Sequence, residues 1–180
     1  PRTHFMAWGL MNNGAWDYPA NTRGYTPSAI VEYVTPSYEM RFSYALMPTT
    51  ANGAIMDWHV FNAGGLTTEF TKKYTHHSRP GAIRVLAFFN AALMGNYQES
   101  IDIAKSQSGV TRVKPVIENT RNYKNYKYGI ALNIEQELSD NIGGFYRLGW
   151  NDGKTETWAF TEIDRSASAG IVINNKKWHR

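Results

Sequence analysis

The chain has 180 residues, with 19 Lys+Arg against 15 Asp+Glu for a formal net charge of +4. That length fits one domain or a piece of a larger one, and an aromatic content of 14% is too rich for a disordered chain. With no cysteine, disulfides, thiolate metal sites and cysteine nucleophiles are excluded, and no apolar run approaches the ~18–20 residues of a membrane-spanning helix.

What the chain has instead is alternation, the mark of strands with two unlike faces. Phe5–Met11 is a weak first strand. From Tyr25 to Tyr33 the odd positions (Tyr25, Pro27, Ala29, Val31, Tyr33) oppose the mostly polar Thr26, Ser28, Ile30 and Glu32. Ser37 to Met47 is cleaner, with Tyr38, Met40, Phe42, Tyr44 and Leu46 against Ser37, Glu39, Arg41 and Ser43. Leu66–Tyr74 and Ile83–Leu93 are weaker strands, the second with Ile83, Val85, Ala87, Phe89 and Leu93 against Arg84 and Asn90. Asn96–Gln107 is the one segment with helical character, inside the longest connection. Tyr128–Leu138 sets Tyr128, Ile130, Leu132, Ile134, Gln136 and Leu138 against Gly129, Ala131, Asn133, Glu135 and Glu137. Ile142–Asn151 sets Ile142, Tyr146, Leu148 and Trp150 against Arg147 and Asn151, and Ala167, Ala169, Ile171 and Ile173 close the series. Most of these roughly eight strands are near the ~9–11 residues that cross a bilayer at a tilt.

The connections alternate too. Thr35-Pro36, His76–Pro80 and Ser139–Asn141 are short, whereas Asn12–Arg23, Pro48–Asn62, Gly95–Asn125 and Asp152–Arg165 are long. Tyrosines and tryptophans sit near strand ends on the apolar side, where aromatic girdles meet the membrane boundary. These features predict an all-β, antiparallel up-and-down transmembrane β-barrel with short turns on one side and long loops on the other. Its charged mid-strand residues would then face a lumen, since ionised groups in hydrocarbon cost roughly 2–4 kcal/mol each at the midplane. The rival reading is a soluble β-sandwich that binds carbohydrate, in which the same polar face is plain solvent-facing surface.

Two stretches, Met11–Tyr25 (MNNGAWDYPANTRGY) and Leu148–Arg165 (LGWNDGKTETWAFTEIDR), with Arg84–Asn90 (RVLAFFN) between them, resemble the carbohydrate-selective porins of the OprB family. The resemblance runs from end to end. It implies a sixteen-stranded barrel in the Gram-negative outer membrane that admits sugars to the periplasm. Residues 1–180 would then form a single partial barrel domain, about half a channel, truncated at both ends and with no signal peptide of its own. Sugars would be the permeants and outer-membrane lipid the surroundings, with a homo-oligomer left open.

A sugar hydroxyl both donates and accepts, and the ring's C–H side stacks on aromatics, so a sugar-selective wall mixes Arg, Asp, Glu, Asn and Trp. The candidate contacts in the loops are Trp16, Asp17, Arg23, Trp150, Asp152, Glu162 and Arg165; those on the strands are Glu39, Arg41, Arg84, Asn90, Glu135, Glu137 and Arg147. Other chemistries find less support. The pairs Glu135/Glu137 and Glu156/Glu162 lack the apolar surroundings that split the roles of two hydrolase carboxylates. Arg121–Tyr128 interleaves basic and aromatic residues as single-strand nucleic-acid binders do, but reads better as a loop entering a strand. His76-His77 has no further spaced ligands for a metal. No enzyme, cofactor, metal or nucleic-acid partner is expected.

Overall fold

The computed structural model describes residues 13–109, 113–158 and 162–173. Seven strands form one antiparallel sheet in sequence order: β1 (Ser28–Val34), β2 (Tyr38–Leu46), β3 (Gly64–His76), β4 (Arg79–Ala91), β5 (Tyr126–Ser139), β6 (Ile142–Asn151) and β7 (Arg165–Ile173). Each strand pairs with its chain neighbour, the up-and-down meander expected from the alternating loop lengths. The sheet is open, with β1 and β7 at its edges among the described residues. The expected strand over Phe5–Met11 lies outside them. β3 and β4 reach 13 residues each, longer than their patterns suggested, because pairing continues to His76 and Arg79. They join through His77-Ser78, whose φ angles of 48° and 62° make the two-positive-φ turn that suits a twisted hairpin. The His76 and His77 rings pack edge-on at 4.2 Å, and no group of three or more metal-ligating residues occurs among the described residues.

The register sorts the side chains into two faces, because residues directly opposite on neighbouring strands share one. On one face Val31 meets Phe42, Tyr44 meets Leu66, Phe70 meets Val85, Phe89 meets Tyr128, Leu132 meets Leu148 and Tyr146 meets Ala169. Among the described residues this apolar face has no second layer of protein against it. Val31 is 68% exposed, Ile130 58% and Ile171 61%. In water an apolar surface spanning seven strands would be far outside the patches a soluble domain tolerates, which weighs against the soluble-sandwich alternative. Aromatic residues gather toward both strand ends of that face. Phe89–Tyr126 and Tyr128–Trp150 pair toward the long loops, and Tyr33–Tyr38 and Tyr38–Phe70 toward the short turns.

The buried core lies elsewhere, at the long-loop end of the polar face. Met47, Ala63, Ala92, Met94 and Trp158 form it, with Ala51 and Tyr123 against its flank. Trp158 anchors the cluster: its indole N–H donates to Pro48 O at 2.7 Å, and its amide donates to the Asp17 carboxylate at 3.1 Å. The long loops therefore fold inward over the polar side. The segment with helical character forms α1 (Tyr97–Gln107), capped by the Asn96 side chain, which accepts from the Glu99 amide at 3.1 Å. Glu99 in its first turn and Lys105 in its last complement the helix dipole.

Candidate functional site

The polar face carries a connected set of charges. Arg41 of β2 donates to Glu32 of β1 at 2.7 Å and to Glu69 of β3 at 3.3 Å, and lies 2.5 Å from Glu39. Lys73 of β3 holds the other oxygen of Glu39 at 2.5 Å. Further along the sheet Arg84 pairs with Glu135 at 2.9 Å, and the next row runs Thr71, Arg84, Asn133, Arg147 and Ser168 across five strands. A period of two aims every one of these residues the same way, and a one-residue slip would send them all to the oily face. At the short-turn end Arg79 binds Glu137 at 3.0 Å and Asp140 at 2.8 Å.

The segment Asn13–Ala20 crosses this face as a strap. Asn13 sits over Gly149 of β6, and its side-chain amide donates to Leu148 O at 2.9 Å. Asn151 donates to Ala15 O at 3.1 Å, Asn90 donates to Asp17 O, and Pro19 rests on Gly65 of β3. Glycine lets the strap lie close against the sheet. A Cβ at Gly149 would collide with the Asn13 amide, and one at Gly65 would press on Asn90 and Pro19.

Between strap and sheet lies a cavity of about 320 Å³ lined by Trp16, Glu69, Arg84, Asn133, Glu135 and Arg147, among others. Its size falls in the range of small-ligand pockets. Two of its lining groups are unspent: the buried Trp16 indole N–H and the buried Asn133 carbonyl oxygen make no hydrogen bond among the described residues. Buried polar groups ordinarily find partners. Here a donor and an acceptor wait at one cavity, beside the Arg84–Glu135 pair.

The loops above are pinned by charges of their own. Arg121 grips Glu156 through two bonds of 2.9 and 2.6 Å, and the same carboxylate accepts the Gly95 amide at 3.1 Å. Hydrogen bonding to Glu156 pushes the Arg121 guanidinium above its ordinary pKa. Burial raises the Asp57 carboxyl, but the His59 amide at 2.9 Å, the Tyr123 hydroxyl at 2.8 Å and the His59 ring at 2.7 Å outweigh it, so its pKa lies below the ordinary value. The bond to Asp57 in turn raises the Tyr123 phenol.

Of the residues singled out from sequence, Trp16, Arg84, Glu135 and Arg147 come together at the cavity, and Glu39 and Arg41 form the neighbouring cluster. Asn90 and Asp17 are buried and engaged: one holds the strap, the other accepts the Trp158 amide. The Asp152 amide donates to Tyr128 O at 3.1 Å and its side-chain carboxylate accepts the Tyr128 amide at 3.4 Å, while Glu137 belongs to the short-turn end. Arg23 and Glu162 are exposed loop residues. Trp150 and Arg165 need correction. They are cross-strand partners on the apolar face, since Leu148 and Trp150 share a parity opposite to Arg147 and Asn151, so neither joins the polar wall. Residues the sequence reading passed over are Asn13, Glu69, Lys73 and Asn133. The alternation of β3 was blurred by Thr68 and Lys72 on its oily face, which hid Glu69 and Lys73 opposite.

An antiparallel meander with one oily outer face, aromatic residues at both of its margins and a charged inner face crossed by a strap is part of a transmembrane β-barrel of the porin class. The sequence matches the family described as carbohydrate-selective porin, OprB family, over residues 1–180, and the chain belongs to that family. The fold is similar to that in the high-pH structure of OprB from Pseudomonas putida, with a TM-score of 0.54 at 13% identity over 80% of this chain. The match covers 34% of that protein, so the chain spans about a third of its length. No curated protein sequence matches the chain. The family is one of the Gram-negative outer membrane.

Proposed function

We propose that the chain forms part of the wall of an outer-membrane channel through which small saccharides diffuse passively, its oily face in contact with lipid. The observation that carries this reading is the unspent Trp16 donor and Asn133 acceptor at a cavity that Arg84, Glu135 and Arg147 also line. A saccharide hydroxyl both gives and takes a hydrogen bond, the chemistry that a donor and an acceptor at one cavity call for, while the indole offers a flat surface for C–H bonds. Charged partners strengthen each contact. A channel needs binding weak enough to permit exit, which a few hydrogen bonds and one aromatic surface supply.

The test uses the full-length parent protein in planar bilayers with glucose and maltose as probes. Single-channel conductance falls as sugar is added, and Trp16→Ala combined with Asn133→Ala raises the half-blocking sugar concentration about tenfold. Conductance indifferent to both sugars overturns the proposal.

A further inference from the structure

The oily face is uneven on its last strands. β5 and β6 present Ile130, Leu132, Leu148 and Trp150, whereas β7 presents only Ala167 and Ala169 between Arg165 and Ile171. The step from large to small side chains leaves a groove of about 740 Å³, lined by Val85, Leu132, Leu148, Trp150 and Ala167 and bounded at its long-loop end by Arg165. Arg165 opens β7, directly opposite Trp150, and is exposed. It makes no ion pair among the described residues.

An arginine on a hydrocarbon-facing surface is costly except at head-group depth. The Tyr128 and Trp150 rings, 6.0 Å apart beside it, mark that depth. A second copy docked strand to strand on the same face offers Arg165 no counter-charge. The acidic strand residues Glu32, Glu39, Glu69, Glu135 and Glu137 all point to the polar side, and the oily face of the seven strands carries none. A lipid phosphate supplies it in the planar two-point geometry that guanidinium favours.

We infer that the groove and Arg165 hold one phosphorylated lipid of the outer leaflet, its phosphate on Arg165 and an acyl chain along Leu148 and Ala167. The site rests on the lipid-facing reading of this surface and asks nothing of the pore. Its residues are separate from the sugar-facing wall.

The experiment uses the full-length parent protein, purified in mild detergent and offered lipid A, dephosphorylated lipid A or phosphatidylglycerol. Native mass spectrometry reads the retained lipid, and planar-bilayer conductance with glucose is recorded on the same samples. The wild type retains one lipid A. Arg165→Ala lowers the retained fraction about tenfold, Ala167→Trp lowers it with the charge intact, and the sugar response of conductance is unchanged in both. Dephosphorylated lipid A is not retained by the wild type, a result that stands even if a variant fails to fold. Equal retention by Arg165→Ala, equal retention of the dephosphorylated probe, or preference for phosphatidylglycerol overturns the inference. Retained lipid A with no sugar response upholds this site and overturns the pore instead.

Discussion

Phe42 tests the two-faced sheet most directly. It stands in the middle of β2 on the oily face, flanked by Val31 of β1 and Thr68 of β3, and is 49% exposed. Ser43, one position on, faces the other way between Ile30 and Thr67. If the oily face meets acyl chains, Phe42→Arg costs about 2–4 kcal/mol near the midplane. That is a factor of roughly 30 to 1,000 in the folded population. Were this face in water, the change would forfeit only a cross-strand contact, roughly 0.2–1 kcal/mol. Ser43→Arg places the same side chain one residue away on the polar face, where a surface substitution costs less than about 1 kcal/mol. Urea unfolding of the full-length parent in lipid vesicles, followed by tryptophan fluorescence, reads both variants. A heat-dependent gel shift checks that each barrel assembled. Equal destabilisation by the two arginines, or a near-neutral Phe42→Arg, refutes the assignment of faces.

Arg84→Gln leaves Glu135 without its partner at 2.9 Å and removes a charged donor from the cavity, so glucose block of conductance weakens about tenfold. Gly149→Val forces Asn13 off β6; single-channel conductance rises if the strap narrows the passage, and an unchanged conductance removes it from that role. Arg121→Ala strands the buried Glu156 carboxylate at a cost of about 3–5 kcal/mol, felt locally as faster proteolysis of the 95–125 loop. Asp57 has a lowered pKa, so its contribution is complete above the ordinary carboxylate range and is lost as the pH falls through the depressed value. Hydrogen exchange in the 48–63 loop therefore accelerates at acid pH, and Tyr123→Phe, which removes a donor to Asp57, moves that acceleration to higher pH.

The faces of β2, β5 and β6 were legible because each keeps one parity oily over most of its length. The alternation of loop lengths then gave the meander. β3 was less readable: Lys72 lies on the oily face beside Tyr38, near the short turns, where its long stem can carry the charge to the interface. A pattern count reads it as a break. Trp150 was misassigned against its own parity, because an aromatic residue suited to stacking on sugars is equally suited to a membrane girdle. The strap had no signature at all. Its path across β6 to β3 depends on Gly149, Gly65, Asn90 and Asn151, residues far apart in sequence whose roles appear only when the sheet brings them under one segment.

Those residues also show how the wall holds a strap without spending its charged groups on it. The strap is fastened by neutral amides: Asn13 to Leu148, Asn151 to Ala15 and Asn90 to Asp17. A carboxamide matches a backbone carbonyl without bringing in a charge that would need its own counter-ion. Arg41, Lys73, Arg84, Glu39, Glu69 and Glu135 instead satisfy one another across strands. Each of these charges thus keeps a partner when no solute is present, so none is left uncompensated. On the proposed function, a saccharide passing over it would exchange contacts with paired ions, a modest gain suited to passage, whereas a lone ion would have to compete with pairs already made.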